Sequence, residues 1–218
     1  MRQSSVVAAS LLLAAFSSQR AEAQLVWADL TTAGPTTFSG TVGGVGFTGT
    51  FVNFGGSFTN TAGTSNFFSG QPGTFTPSLP LSDSIGLFSE AGFTLSFAQP
   101  VKNPVFDIFS LSNTWDFGTP VTLLSGGPSN FGGVPITVSG NRVVGQPNGN
   151  GFDANGTIAL TGTFSTLTVT TPVVNASDGA AFIFAVQAVP EPSPLVVSGS
   201  LSVLGLIGWG WRRRKRAV

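Results

Sequence analysis

The sequence predicts an all-β protein, a β-sandwich with jelly-roll-like connections, preceded by a signal peptide and followed by one transmembrane helix. Three observations carry this expectation. Glycine (29) and phenylalanine (20) are abundant while charged residues make up only 8%, a composition that disfavours long helices and suits short strands joined by tight turns. In the middle of the chain, short apolar runs, several alternating with polar residues, are separated by Gly, Asn and Pro, the pattern of half-buried strands between turns. Longer apolar stretches gather at the two ends, where targeting segments lie.

Residues 1–23 form the first element. Arg2 is followed by an apolar run from Val6 to Phe16 and then Ala21-Glu22-Ala23, the small-x-small pattern cut by signal peptidase, so the mature chain is expected to start at Gln24. Roughly 11 residues at 1.5 Å each span about 17 Å, short of the ~30 Å hydrocarbon core, which argues against a transmembrane helix here. The partners implied are signal peptidase and the Sec translocon.

Residues 24–188 form the expected sandwich ectodomain. Between Gln24 and Gly73 the chain is rich in Gly, Thr, Ser and Phe; Val45, Phe47, Gly49 and Phe51 alternate with Gly46, Thr48 and Thr50, predicting a strand, and Thr61–Ser65 and Gln71-Pro72-Gly73 read as turns. A flexible, low-complexity leader over residues 24–80 is the competing reading. From Ser82 onward the strand signals strengthen. Phe93, Leu95 and Phe97 alternate cleanly, with Gln99-Pro100 expected to end that run. Further strands are predicted over Val105–Leu111, Val121–Leu124, Ile136–Val138, Arg142–Val144, Thr157–Leu160, Phe164–Thr170 and Ala181–Val189. Several short strands between turn signals indicate a sandwich, and the absence of an internal repeat argues against a solenoid.

Residues 189–218 form the last element. Pro190, Pro192 and Pro194 give a stiff extended stretch, and Leu195–Trp211 follows without a charge, at the short end of a membrane span. Trp209 and Trp211 stand at the interface position, and Arg212, Arg213, Arg214, Lys215 and Arg216 form a basic lock expected to stay cytoplasmic. Each basic residue gains about 1 kcal/mol near anionic lipid. Val189-Pro190-Glu191-Pro192-Ser193, the short span and the Arg cluster together resemble the PEP-CTERM sorting signal. That resemblance implies recognition by an exosortase, a membrane transpeptidase that cuts near Pro-Glu-Pro, and hence a transient inner-membrane anchor followed by release to the outer surface or matrix of a Gram-negative bacterium. It also implies association with extracellular polysaccharide. A second resemblance lies in Phe93–Ile108, whose Pro100-Val101-Lys102-Asn103-Pro104 between two strands is similar to a segment of lectin-like sandwich domains in bacterial surface adhesins. It supports the sandwich and an adhesive role and places no site.

Composition narrows the chemistry. Seven of the nine basic residues lie at the two ends, leaving Lys102 and Arg142 against Asp29, Asp83, Glu90, Asp107, Asp116, Asp153 and Asp178. Such an acidic ectodomain has no basic patch to displace counterions, which excludes nucleic acid as a partner. No Cys, His or Tyr is present, so disulfides, thiolate metal sites and Ser-His-Asp relays are excluded. Two carboxylates suffice for a glycoside hydrolase, and Asp107 and Asp116, flanking Trp115, are the best such pair. Trp115 and Asp116 are accordingly the possible glycan contacts; the simpler reading has Trp115 covering the core and Asp116 solvated. Asn148–Gly156 offers spaced oxygens for calcium but lacks the acid count of an EF-hand, and Asn-Gly turns explain it with less. Thr161, Thr163, Thr166, Thr168, Thr170 and Thr171 raise an ice- or polysaccharide-binding face, without a repeating Thr-x-Thr array. The sequence therefore reads as an exported, non-enzymatic, structural or adhesive protein without cofactor or metal. A secreted glycoside hydrolase and an ice-binding-type surface protein are the alternatives.

Overall fold

A computed structural model describes residues 24–52, 57–60, 73–76, 83–88, 91–129, 132–146, 153–173 and 179–188. The signal peptide, the Val189–Pro192 motif, the 195–211 span and the basic residues 212–216 lie outside the described residues, as do Thr61–Ser65, Gln71-Pro72 and most of the Asn148–Gly156 run. Gln24–Ala188 is one compact unit.

The first strands are β1 (Leu25–Trp27), β2 (Asp29–Ala33), β3 (Thr37–Val42), β4 (Val45–Val52), β5 (Ser57–Asn60) and β6 (Ser84–Phe88). The central ones are β7 (Gly92–Lys102), β8 (Val105–Leu111), β9 (Thr114–Asp116), β10 (Val121–Gly126) and β11 (Val134–Pro135). The last are β12 (Thr137–Ser139), β13 (Arg142–Val144), β14 (Ala154–Leu160), β15 (Thr163–Val173) and β16 (Gly179–Gln187). They form two sheets. Sheet one runs β10-β14-β8-β16-β6-β5, with β1 also on β16 and β11 on β14; sheet two runs β12-β13-β9-β15-β7-β4-β3-β2. All pairings are antiparallel except β11 with β14, so the described fold is an all-β sandwich. From β7 onward the chain passes back and forth between the sheets, with β10 and β11 together in sheet one and β12 and β13 together in sheet two, and the pairs nest: β8 with β16, β9 with β15, β10 with β14, β12 with β13.

Alternation builds the core. Phe38, Phe47, Phe51, Phe93, Leu95 and Phe97 point inward from sheet two, and Phe106, Ile108, Phe182 and Phe184 meet them from sheet one. Phe93 stacks on Phe182 at 4.2 Å between ring centres, and Phe47 meets Phe184 edge-on at 4.9 Å. Such aromatic pairs add about 0.5–1.5 kcal/mol each beyond burial. Strands β8 and β14 are buried on both faces, because Thr74 and Phe75 cover the outside of sheet one, where Phe75, Phe109, Ala181 and Ile183 form a second cluster. The tight β3–β4 hairpin turns through Gly43 (φ 56°) and Gly44 (φ 78°), the double positive φ of a type I′ turn.

Several expectations are corrected. Residues 25–52 are strands β1–β4, so this part of the chain is not a flexible leader. Gln99-Pro100 does not end the seventh strand: β7 runs on to Lys102, its partner register jumping from Ser96 opposite Thr166 to Val101 opposite Phe164. That bulge takes up Pro100, which has no N–H for the ladder. The Pro100–Pro104 segment does join two strands, β7 and β8, and it carries the chain from sheet two to sheet one. Asn103 makes the corner at φ 45°, its Oδ1 accepting from the Gly162 N–H at 2.9 Å and its own N–H bonding the Gly162 carbonyl at 2.9 Å.

Candidate functional site

The acidic pair is not brought together. Asp107 lies on β8, where its neighbours Phe106 and Ile108 enter the core, so its carboxyl points to the outside of sheet one beneath Phe75 and Thr76. Asp116 lies on β9 next to the core residue Trp115 and points out of the opposite sheet. Two sheets packed about 10 Å apart separate carboxyls on their outer faces by more than glycoside hydrolysis spans. Trp115 is 2% exposed, with Phe93 at 5.6 Å and Phe182 at 5.8 Å between ring centres. It covers the core and presents no face to a sugar, which corrects its assignment as a glycan contact. Asp116 is half-buried and occupied. It accepts from the Gly118 N–H at 2.9 Å and from the Asn141 amide, and pairs with Arg142 Nε at 3.0 Å. The Gly118 bond, then Arg142 and Asn141, outweigh partial desolvation and hold its carboxyl below the usual range.

Asp107 behaves differently. Its Oδ1 accepts from the Thr157 hydroxyl, which in turn accepts the Thr76 N–H at 3.0 Å, and Oδ2 has no hydrogen-bond partner among the described residues. Burial pushes its pKa up to about 7, against the smaller lowering by Thr157. Asp83 is also raised, chiefly by desolvation and against the 2.7 Å bond it accepts from the Leu30 N–H, with Asp29 adding to the rise. From the calcium-candidate run, Asp153 accepts from the Ser110 and Ser112 hydroxyls, and Asn155 is buried, accepting from the Ser110 N–H at 2.9 Å. Among the described residues no group of three or more acidic, His or Cys side chains is placed to hold a metal.

The distinctive surface is the outer face of sheet two. Register aligns hydroxyl side chains across strands: Thr168, Thr94, Thr50 and Thr37 form one row over β15, β7, β4 and β3. Thr166, Ser96, Thr48, Ser39 and Thr32 form a second row that continues to β2. These residues are exposed or half-buried, while the side chains between them enter the core. The strand geometry sets a grid about 4.8 Å by about 6.8 Å. No charged residue stands in either row; Asp29 opposite Thr41 and Asp116 opposite Thr170 flank them.

Of the threonines singled out from the sequence, Thr166 and Thr168 belong to this grid, Thr170 is exposed at its margin, and Thr161, Thr163 and Thr171 fall outside the two rows. The hydroxyls on β2, β3, β4 and β7 were not among them. The signal for those on β3, β4 and β7 is a short Thr-x-Thr or Thr-x-Ser in each strand, at Thr37–Ser39, Thr48–Thr50 and Thr94–Ser96, which only the register assembles; β2 carries adjacent Thr31 and Thr32 instead. Between the β2 bulge at Thr31 and the β7 bulge after Ser96, this face sinks into a trough of about 500 Å³. Thr31, Ser39, Gly46, Thr48, Ser96 and Ala98 line it. No family model, curated protein or solved structure matches the chain.

Proposed function

We propose that this chain is an exported, non-enzymatic protein of the cell envelope or extracellular matrix of a Gram-negative bacterium, sorted by an exosortase and associated with extracellular polysaccharide through the outer face of sheet two. Export uses the 1–23 signal peptide, signal peptidase and the Sec translocon. Residues 195–211 hold the chain transiently in the inner membrane, with Arg212–Arg216 on the cytoplasmic side, until an exosortase acts at Val189-Pro190-Glu191-Pro192. Prolines keep that stretch extended and free of internal hydrogen bonds, the form a proteolytic cleft accepts. The nested strand pairs from β8 to β16 support a jelly-roll-like sandwich.

The observation that carries the polysaccharide reading is the two uncharged hydroxyl rows. Each hydroxyl of a neutral polyol can both donate and accept, and so can a threonine hydroxyl, which donates once and accepts twice. Two measurements test the proposal. Replacing Pro190, Glu191 and Pro192 with alanine is expected to leave the protein in the membrane fraction, and unchanged release contradicts the sorting step. The wild-type protein is expected to sediment with matrix polysaccharide from the producing cells even in about 1 M salt, where the screening length is only about 3 Å. Loss of sedimentation on adding salt contradicts an uncharged contact face.

A further inference from the structure

We infer that the trough on sheet two is a binding subsite for one chain of a neutral polysaccharide, lying across the strands from β7 over β4 to β3 and β2. This deepens the polysaccharide reading and rests on it. Three features point to this occupant. The trough crosses three interstrand gaps, about 14 Å at the usual strand spacing, and it is open along the outer face of the sheet. Its lining carries no Asp, Glu, Lys or Arg, so it offers nothing to a uronate, sulfated or cationic polymer, each of which needs counter-charge to leave water. Its hydroxyls are also unequally engaged. Within the trough Ser39 is already engaged, by Thr32 at 2.6 Å and, through its carbonyl, by Thr31 at 3.3 Å, and beyond it Thr94 bonds Thr168 at 3.1 Å, whereas the side-chain hydroxyls of Thr48 and Ser96 bond no other described residue. Those two, one strand apart in register, are available to successive sugar units.

The concavity separates this occupant from ice. A crystalline water plane asks for a flat periodic face, while bulges at both ends of this trough curve the strands and interrupt the grid. Gly46 and Ala98 form the low floor. A Cβ added at Gly46 would meet only the Ala98 methyl, at 3.9 Å, so this position is small without a packing reason within the fold and open space lies above it.

The test uses the full chain and two soluble probes of similar length, a neutral glucan and a polyuronate, with affinity read by calorimetry. Gly46→Val fills the floor and is expected to weaken glucan binding at least about tenfold, the equivalent of one or two lost hydrogen bonds. The pair Thr48→Val and Ser96→Ala keeps the shape, removes both hydroxyls and is expected to weaken it by a similar factor, which keeps the test valid should Gly46→Val fold poorly. Thr122→Val, exposed on β10 in sheet one and outside both hydroxyl rows, is expected to stay within about twofold of wild type. Glucan binding unaffected by both trough changes overturns the subsite while leaving polysaccharide association intact. Preference for the polyuronate, or inhibition of ice growth without glucan binding, overturns the ligand class. No binding of either probe, together with no sedimentation on matrix polysaccharide, overturns the broader reading as well.

Discussion

Asp107→Asn is expected to remove most of the pH dependence of folding stability between about pH 4 and 7. Asp107 is fully buried, with Oδ2 lacking a described partner, so its carboxyl is held protonated in the folded state up to a pKa of about 7, against 3.8 in the unfolded chain. Between these values the unfolded state has released the proton and the native state has not. Stability therefore falls as pH rises, by about 1.4 kcal/mol per unit. The contribution is fully present below pH ~4 and lost on passing pH ~7, a total on the order of 4 kcal/mol. Asparagine keeps the shape and an oxygen for the Thr157 hydroxyl but does not titrate. Chemical denaturation at a series of pH values is the assay: the wild-type midpoint should drop between about pH 4 and 8, while the variant keeps only the smaller slope left by Asp83, raised in the same direction. Parallel wild-type and variant curves would refute the assignment of a buried, neutral Asp107.

Other changes probe the rest of the fold. Trp115→Ala should cost about 3–5 kcal/mol of stability by opening a cavity against Phe93 and Phe182, while glucan affinity measured on the folded fraction stays unchanged. Gly49→Ala drives a Cβ to within 2.0 Å of the Phe38 ring and should lower stability by about 1–3 kcal/mol, part of it restored by adding Phe38→Leu; equal melting temperatures for wild type and Gly49→Ala would contradict that contact. Arg142→Ala should cost under about 1 kcal/mol, since its pair with Asp116 is exposed. Asp116→Ala should cost more, because the Gly118 and Asn141 donors lose their acceptor. The sign for Asp116 is opposite to that for Asp107: its contribution is present above pH ~4 and lost as acid carries the pH below its lowered pKa, which denaturation in acid reads directly.

The sandwich was legible where one strand alone carries the pattern. Phe93-Leu95-Phe97 alternates because one face meets the core, and Val105–Leu111 reads as nearly continuous because both its faces are covered. Strands β2 and β3 were hidden in Gly- and Thr-rich sequence whose polar half faces solvent, and β9 is only three residues long. The site was legible still less, because its rows run perpendicular to the chain: Thr48 meets Ser96 and Ser39 only through pairing across 48 and 9 positions. Composition drew attention instead to Trp115, a residue type equally at home on a sugar ring and in a core, and nothing local distinguishes the two. The β15 threonines were visible as a cluster, but their partners on β7 are about 70 residues away.

The most direct test of the polysaccharide-binding face is the residue-by-residue backbone amide shift map of the labelled chain during titration with the neutral glucan. Shifts should concentrate at Ser39, Gly40, Gly46–Thr48 and Ser96–Ala98, the trough on sheet two. Shifts centred instead on the Asp116–Arg142 edge or around Thr74–Thr76 on sheet one, with the trough amides unmoved, would contradict it.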